Sequence, residues 1–287
     1  MRVPFARRPP PDASGSESRE RATSQRLGPT STAPSALSSE RIVVAVSLLL
    51  LAALAWTYLW MQAQPDATST PMMAMPGMAE ADTRPTALIV IFLMWSVMMV
   101  GMMLPSVLPT VLLYARLVQT NRAAGTALPS AWMFTAGYLA LWLTFAVIAT
   151  VLQALLEASG LLSPLVSPPD RRLAGVLFLL AGIYQWLPMK SACLDRCRVP
   201  LQTLLSRWHS GVPGAFRMGA DHGLICVGCC WALMLLMFAG GAMNLLWMAL
   251  IAGFILIEKL FPNGKQIGRM TGIVACAAGM TLILVGL

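Results

Sequence analysis

Seven apolar runs, separated by polar and proline-rich stretches, organise this sequence. The first, Ile42 to Met61, follows a leader rich in Pro, Ser, Arg and Glu that has little to bury and is expected to be disordered. At ~1.5 Å per helical residue, such a run crosses the ~30 Å hydrocarbon layer of a bilayer. The leader is too long, and the run exceeds the usual apolar core, for a cleaved signal peptide, so the run reads as an anchor. The second run starts near Thr86 and goes past Pro105 to about Tyr114, which predicts a broken helix whose freed carbonyls line a cavity. Trp132 to Leu156 forms the third, and Leu173 to Leu187, stopped by Pro188, a short fourth. A long loop over 188–217 follows, with an amphipathic stretch from Leu201 to Trp208 suited to an interface. The fifth run covers roughly Gly219 to Gly240 and the sixth Leu245 to Ile257. The seventh runs from about Ile267 to Leu287, where Gly272, Ala275 and Gly279 permit close helix contact. The pattern predicts an all-α, polytopic transmembrane helical bundle of about seven spans. Three regions follow: a disordered tail over 1–40, a first anchor with an outer Met-rich linker over 41–85, and a metal-binding membrane domain over 86–287.

Composition supports the bilayer, since 57% hydrophobic and 11% charged residues are far too apolar a mixture for a soluble chain of 287 residues. The net charge of +8 lies between apolar runs and not in a stripe, so it implies topology and no nucleic-acid partner. Seventeen Lys and Arg fall on one side of the alternating spans, and three, Arg84, Arg171 and Arg172, on the other. That bias predicts a cytoplasmic N terminus, an outer C terminus and an odd number of spans. No motif for ATP hydrolysis occurs, which disfavours an active pump.

Chemistry concentrates in Arg217 to Asn244, RMGADHGLICVGCCWALMLLMFAGGAMN. On a helix, His222, Cys226 and Cys229 or Cys230 line one face and can converge on one ion at the cytoplasmic end of the fifth span. Cys193 and Cys197 share a helical face in the preceding loop. The chain also holds 20 Met, and thioether sulfur is a soft ligand suited to Cu(I). Met94, Met98 and Met102 fall at i, i+4 and i+8, with Met99 and Met103 on a neighbouring line. Met234 and Met237 continue the face of the cysteines, and Met72, Met73, Met75 and Met78 crowd the outer linker. The groups on the apolar runs also have a packing reading, because Cys and Met are ordinary fillers of tight apolar cores and His222 can cap the segment at the headgroups, whereas the linker methionines have no core to fill and leave low complexity as their alternative. Read together, thioethers outside and thiols with imidazole inside form a gradient of rising Cu(I) affinity that favours inward movement of the ion. Zinc held by Cys193, Cys197, His222 and Cys226 is the alternative, a common structural set, although zinc has little use for thioether. Asp221 reads as solvated or as stabilising a helix N-terminus, Glu258 and Lys259 as an interfacial pair, His209 as a loop residue and Cys276 as packing.

The blocks MWSVMMVGMMLPS, YQWLPMKSACLDRCR, HGLICVGCCWALMLLMFAGGAMNLLWM and the following EK resemble the bacterial predicted metal-binding integral membrane protein family. The resemblance covers about Thr86 to Leu287, leaving the tail and first run outside. It implies a polytopic, metal-binding protein of the bacterial inner membrane, and some members carry copper-handling names. Three functions stand open. The chain is a copper-handling protein that moves Cu(I) inward or delivers it to a copper-receiving partner, a membrane metalloenzyme or redox protein, or a structural subunit. Spans with almost no Asp, Glu or extra His argue against the enzyme, and two histidines in all argue against haem.

Overall fold

The computed structural model describes residues 34–63, 85–120, 128–161, 170–241 and 244–285, and every element among them is helical. In chain order these are α1 (Pro34–Ala63), α2 (Pro85–Thr120), α3 (Leu128–Ala158), α4 (Arg171–Tyr184) and α5 (Pro188–Arg198). They continue with α6 (Pro200–Ser206), α7 (Gly211–Gly240), α8 (Leu245–Leu260) and α9 (Gly264–Val285). Most of the tail and the linker with Met72, Met73, Met75 and Met78 lie outside the described residues. The described residues from Glu40 onward belong to one compact unit.

Among the described residues five helices are long and apolar enough to cross a membrane: Arg41–Ala63, Thr86–Gln119, Ala131–Ala158, Gly211–Gly240 and Gly264–Val285. The fourth and sixth runs form shorter helices, of 14 residues in α4 and 16 in α8. Across Gln185–Leu187 the axis turns by 67° into α5, so α4 and α5 form either one broken span or a re-entrant element. Pro188 sets this break, because its ring cannot continue the helix before it but fits the first turn of the next.

Two expectations need correction. The second run is one continuous helix of 36 residues with Pro105 and Pro109 inside it, not a broken helix around a cavity. Pro105 has no N–H for the carbonyl of Gly101, and the indole Nε1 of Trp56 on α1 donates to that oxygen at 3.1 Å. The first helix also begins at Pro34, within the stretch expected to be tail.

Glycines set the helix pairs. On α4 and α9, a Cβ at Gly175 would stand 2.8 Å from the carbonyl oxygen of Gly279, and one at Gly182 would stand 2.7 Å from that of Gly272. The contacts descend as the chain ascends, so the two helices pack antiparallel through backbone, as small residues at an interface allow. Cys276 seals the same seam beside Gly182, in the packing role expected of it. Between α3 and α7, Gly219 leaves room for the carbonyl of Phe134, and Gly223 lies against that of Tyr138. This parallel pair carries the aromatic core of Phe134, Tyr138 and Trp142, all fully buried. Meanwhile Leu54, Ile148, Leu250 and Val285 are 57% to 70% exposed, so the helices turn apolar side chains outward.

Candidate metal centre

The fifth apolar run belongs to a longer helix than its hydropathy suggests. α7 starts at Gly211 after the positive φ of 83° at that residue, so Cys226 lies at the middle of a 30-residue helix rather than near its head. Cys226, Cys229 and Cys230 are 1% to 2% exposed. α5 leans on this helix and brings Cys197, 9% exposed, to the same place. The sulfurs of Cys197, Cys226 and Cys229 all lie within 4.8 Å of one another, and those of Cys197 and Cys229 are 3.9 Å apart. With metal–sulfur bonds of ~2.3 Å, thiolates in a trigonal plane stand ~4.0 Å apart, so the three need little movement to share an ion. Among the described residues this is the only group of three or more His, Cys, Asp or Glu ligand atoms so close together.

Around the thiols stands a polar shell. The Cys226 sulfur is 3.1 Å from the Tyr138 hydroxyl and 3.0 Å from the Lys259 ammonium. Lys259 also donates to Ser106 Oγ at 3.0 Å, and that hydroxyl donates to the carbonyl of Met103, whose thioether lies 3.9 Å from it. Cys229 and Cys230 each place their sulfur 3.1 Å from the Cys226 carbonyl oxygen. The ammonium supplies the counter-charge that thiolates need away from water. Replacing Lys259 by methionine keeps the volume and removes this charge. Copper affinity, read by competition with bathocuproine disulfonate, is expected to fall ~10–100-fold, the scale for losing a partner that orients a ligand. An unchanged affinity would leave Lys259 with no part in the site.

The other sequence candidates occupy defined places. His222 is buried, with its ring packed 6.2 Å from that of Phe134 and 6.0 Å from that of Tyr138, outside the three-thiol group. Cys230 is buried one turn from Cys226, and Cys193 sits at the rim of the cluster, partly exposed. Met94, Met98, Met102, Met234 and Met237 are 0% to 9% exposed. Trp95 on α2 meets Phe238 on α7 at 5.0 Å, while Tyr138 links the Met103 carbonyl to Cys226, so these helices run antiparallel. Between those two levels lie Met98, Met99 and Met102 on one helix and Cys230, Met234 and Met237 on the other.

Some expectations about single residues change. Glu258 and Lys259 are not an interfacial pair. Glu258 binds Lys190 at 2.7 and 2.9 Å, both residues 2% to 3% exposed, and Lys259 turns the other way to Cys226. Asp221 lies well inside α7, partly exposed and 3.9 Å from the exposed Arg207, which fits the solvated reading and leaves it no role at a helix N-terminus. His209 is in the loop before α7, as expected. Sequence reasoning left out Tyr138 and Ser106 and gave Lys259 a different role. The available signal was polarity at isolated points of apolar helices, where a polar group must find a partner.

No curated protein and no solved structure matches this chain. The family model described as PpoB2, copper chaperone, matches residues 92–282, about two thirds of the sequence and all six cysteines. With three buried thiols poised to share an ion inside the matched region, the chain belongs to the PpoB2 copper chaperone family.

Proposed function

We propose that this protein is a multi-pass membrane chaperone that takes Cu(I) as cargo on Cys197, Cys226 and Cys229 and passes it to a copper-receiving protein. The observation that carries this reading is the convergence of three buried thiols from two helices within 4.8 Å. Three soft sulfurs complete a coordination sphere for Cu(I), whereas structural zinc takes four ligands. His222, the fourth ligand of the alternative zinc set, stands outside the group. Met94, Met98 and Met102 with Met234 and Met237 supply thioethers on the two helices that lead to Cys230 and Cys226, in the order expected for an inward path.

Membrane insertion is supported by the inverted distribution of polarity. Lys190, Glu258, Gln153 and His222 are buried while Leu, Ile and Val face outward, the reverse of a soluble protein. Seven crossings, with α4 and α8 as short ones, keep fifteen of the basic residues on one side when the buried Lys190 and the partly buried Lys259, both engaged inside the bundle, are set aside. The positive-inside bias supports a cytoplasmic N terminus for a protein of the bacterial inner membrane.

The test is the metal content of the full chain purified in detergent from cells supplied with copper and zinc. One copper per chain is expected, silent in electron paramagnetic resonance because Cu(I) has a closed shell. Zinc in its place, or no metal at all, overturns the copper reading.

A further inference from the structure

Cys193 differs from the other thiols near the cluster. It stands one turn before Cys197 on α5, it is partly exposed, and it is outside the group of three. Its sulfur would lie 3.0 Å from a Cβ at Gly228, the residue immediately before Cys229. Glycine at that point leaves the thiol lying directly against the α7 backbone. Tyr184 donates to the Gly228 carbonyl and so holds this patch of α7 against α4. On the outward side, Ala192, Asp195 and Arg196 are exposed. Cys193 therefore faces the buried thiols on one side and open space on the other. The three resident thiols, 1% to 9% exposed, offer no such access.

Resting on the copper reading above, we propose that Cys193 is the hand-over ligand, through which Cu(I) passes between the buried thiols and a thiol-bearing carrier docked on α5. In the first exchange a bond forms between copper and the Cys193 sulfur while the bond to Cys229 breaks. The proton lost by Cys193 is taken up by Cys229, and the bond to Cys226 is released against one proton from the medium. Copper remains Cu(I) throughout and no electron moves. The ion is then held by Cys193 and Cys197, two thiolates at i and i+4 on one helix, which suits the two-coordinate geometry open to a soft monovalent cation. A carrier thiolate attacks copper from the exposed side and its bond forms as that to Cys197 breaks, a second carrier thiolate then replaces Cys193, so copper stays two-coordinate, and Cys197 and Cys193 take up the protons that the two carrier thiols give up. Thiolate exchange of this kind depends on access to the attacking group, which Cys193 provides.

The experiment uses the full chain loaded with copper in detergent and bathocuproine disulfonate as acceptor, a charged and bulky chelator that cannot enter the buried cluster. Cys193→Ser is expected to bind as much copper as the wild type and to release it ~10-fold more slowly or worse, the scale for loss of one supporting group. Equal release rates overturn the hand-over role. Loss of copper from Cys193→Ser also overturns it, since Cys193 would then be a resident ligand, while the copper reading stands. A wild type without copper sinks both. Alkylation by iodoacetamide mapped by mass spectrometry gives a second measurement that needs no variant. In the loaded wild type Cys193 is expected to be labelled while Cys197, Cys226 and Cys229 are protected, and protection of Cys193 equal to theirs counts against the proposal.

Discussion

Cys226→Ser is expected to purify with far less copper than the wild type. Its sulfur is the one contacted by both Tyr138 and Lys259, at 3.1 and 3.0 Å, and it belongs to the group of three with Cys197 and Cys229. A serine hydroxyl can still accept from the ammonium and exchange a hydrogen bond with Tyr138, so the helices keep their packing. What it loses is the soft donor, and oxygen is a poor ligand for Cu(I). The remaining two thiols of the group, Cys197 and Cys229, offer two soft donors in place of three. Metal analysis of the purified variant is the measurement. Cys276→Ser provides the comparison: its sulfur packs beside Gly182 on the α4–α9 seam, and copper content is expected to match the wild type. His222→Ala is likewise expected to retain copper, because the ring packs on Phe134 and Tyr138 outside the thiol group. Full copper in Cys226→Ser would place the cargo somewhere else.

Glu258→Leu is expected to cost about 3–5 kcal/mol of stability, the range for removing one partner of a buried ion pair. Lys190 is 3% exposed and donates to both carboxylate oxygens of Glu258 and to Gln185 Oε1. Without the carboxylate, its ammonium stays in an apolar interior with a single amide oxygen, which does not offset desolvation. The double change of Lys190→Met with Glu258→Leu is expected to recover most of the loss, since well-packed apolar residues replace buried pairs at little cost. Thermal unfolding in detergent, followed by circular dichroism, reads the difference. A single variant as stable as the wild type would show that the pair contributes nothing to docking. The pair also bears on the copper site. Lys190 and Cys197 lie at i and i+7 on α5, hence on one face, so the hold of α8 on Lys190 helps set where Cys197 stands.

Much of this arrangement is legible in the chain. Apolar runs of sufficient length mark seven of the helices, whereas α5 and α6 lie in the stretch expected as a loop, and the small residues of the seventh run lie where α9 meets α4. The cysteine spacing on α7 marks the correct face. Where hydropathy fails is at the start of α7, where Pro213 and Arg217 look like loop. Those residues are exposed on a helix that begins at Gly211, and a helix continues as readily through a wet segment as through a dry one. Pro105 is misleading for a related reason. A proline removes one donor from its own helix, but whether that opens a cavity depends on whether a group such as the Trp56 indole stands opposite.

By itself the sequence determined an all-helical chain with apolar runs of membrane-crossing length, with soft ligands drawn to two helices and few charges among them. The tertiary structure decided which ligands meet. Cys193, Cys197, His222, Cys226, Cys229 and Cys230 all satisfy helical spacing, yet three sulfurs converge while the imidazole packs against aromatic rings. It also separated Glu258 from Lys259, neighbours that point ~100° apart around a helix with 3.6 residues per turn. One became a structural ion pair with α5 and the other the charge beside Cys226. Spacing along a helix fixes the face on which a side chain lies, but only the packing of a second helix fixes what that face touches.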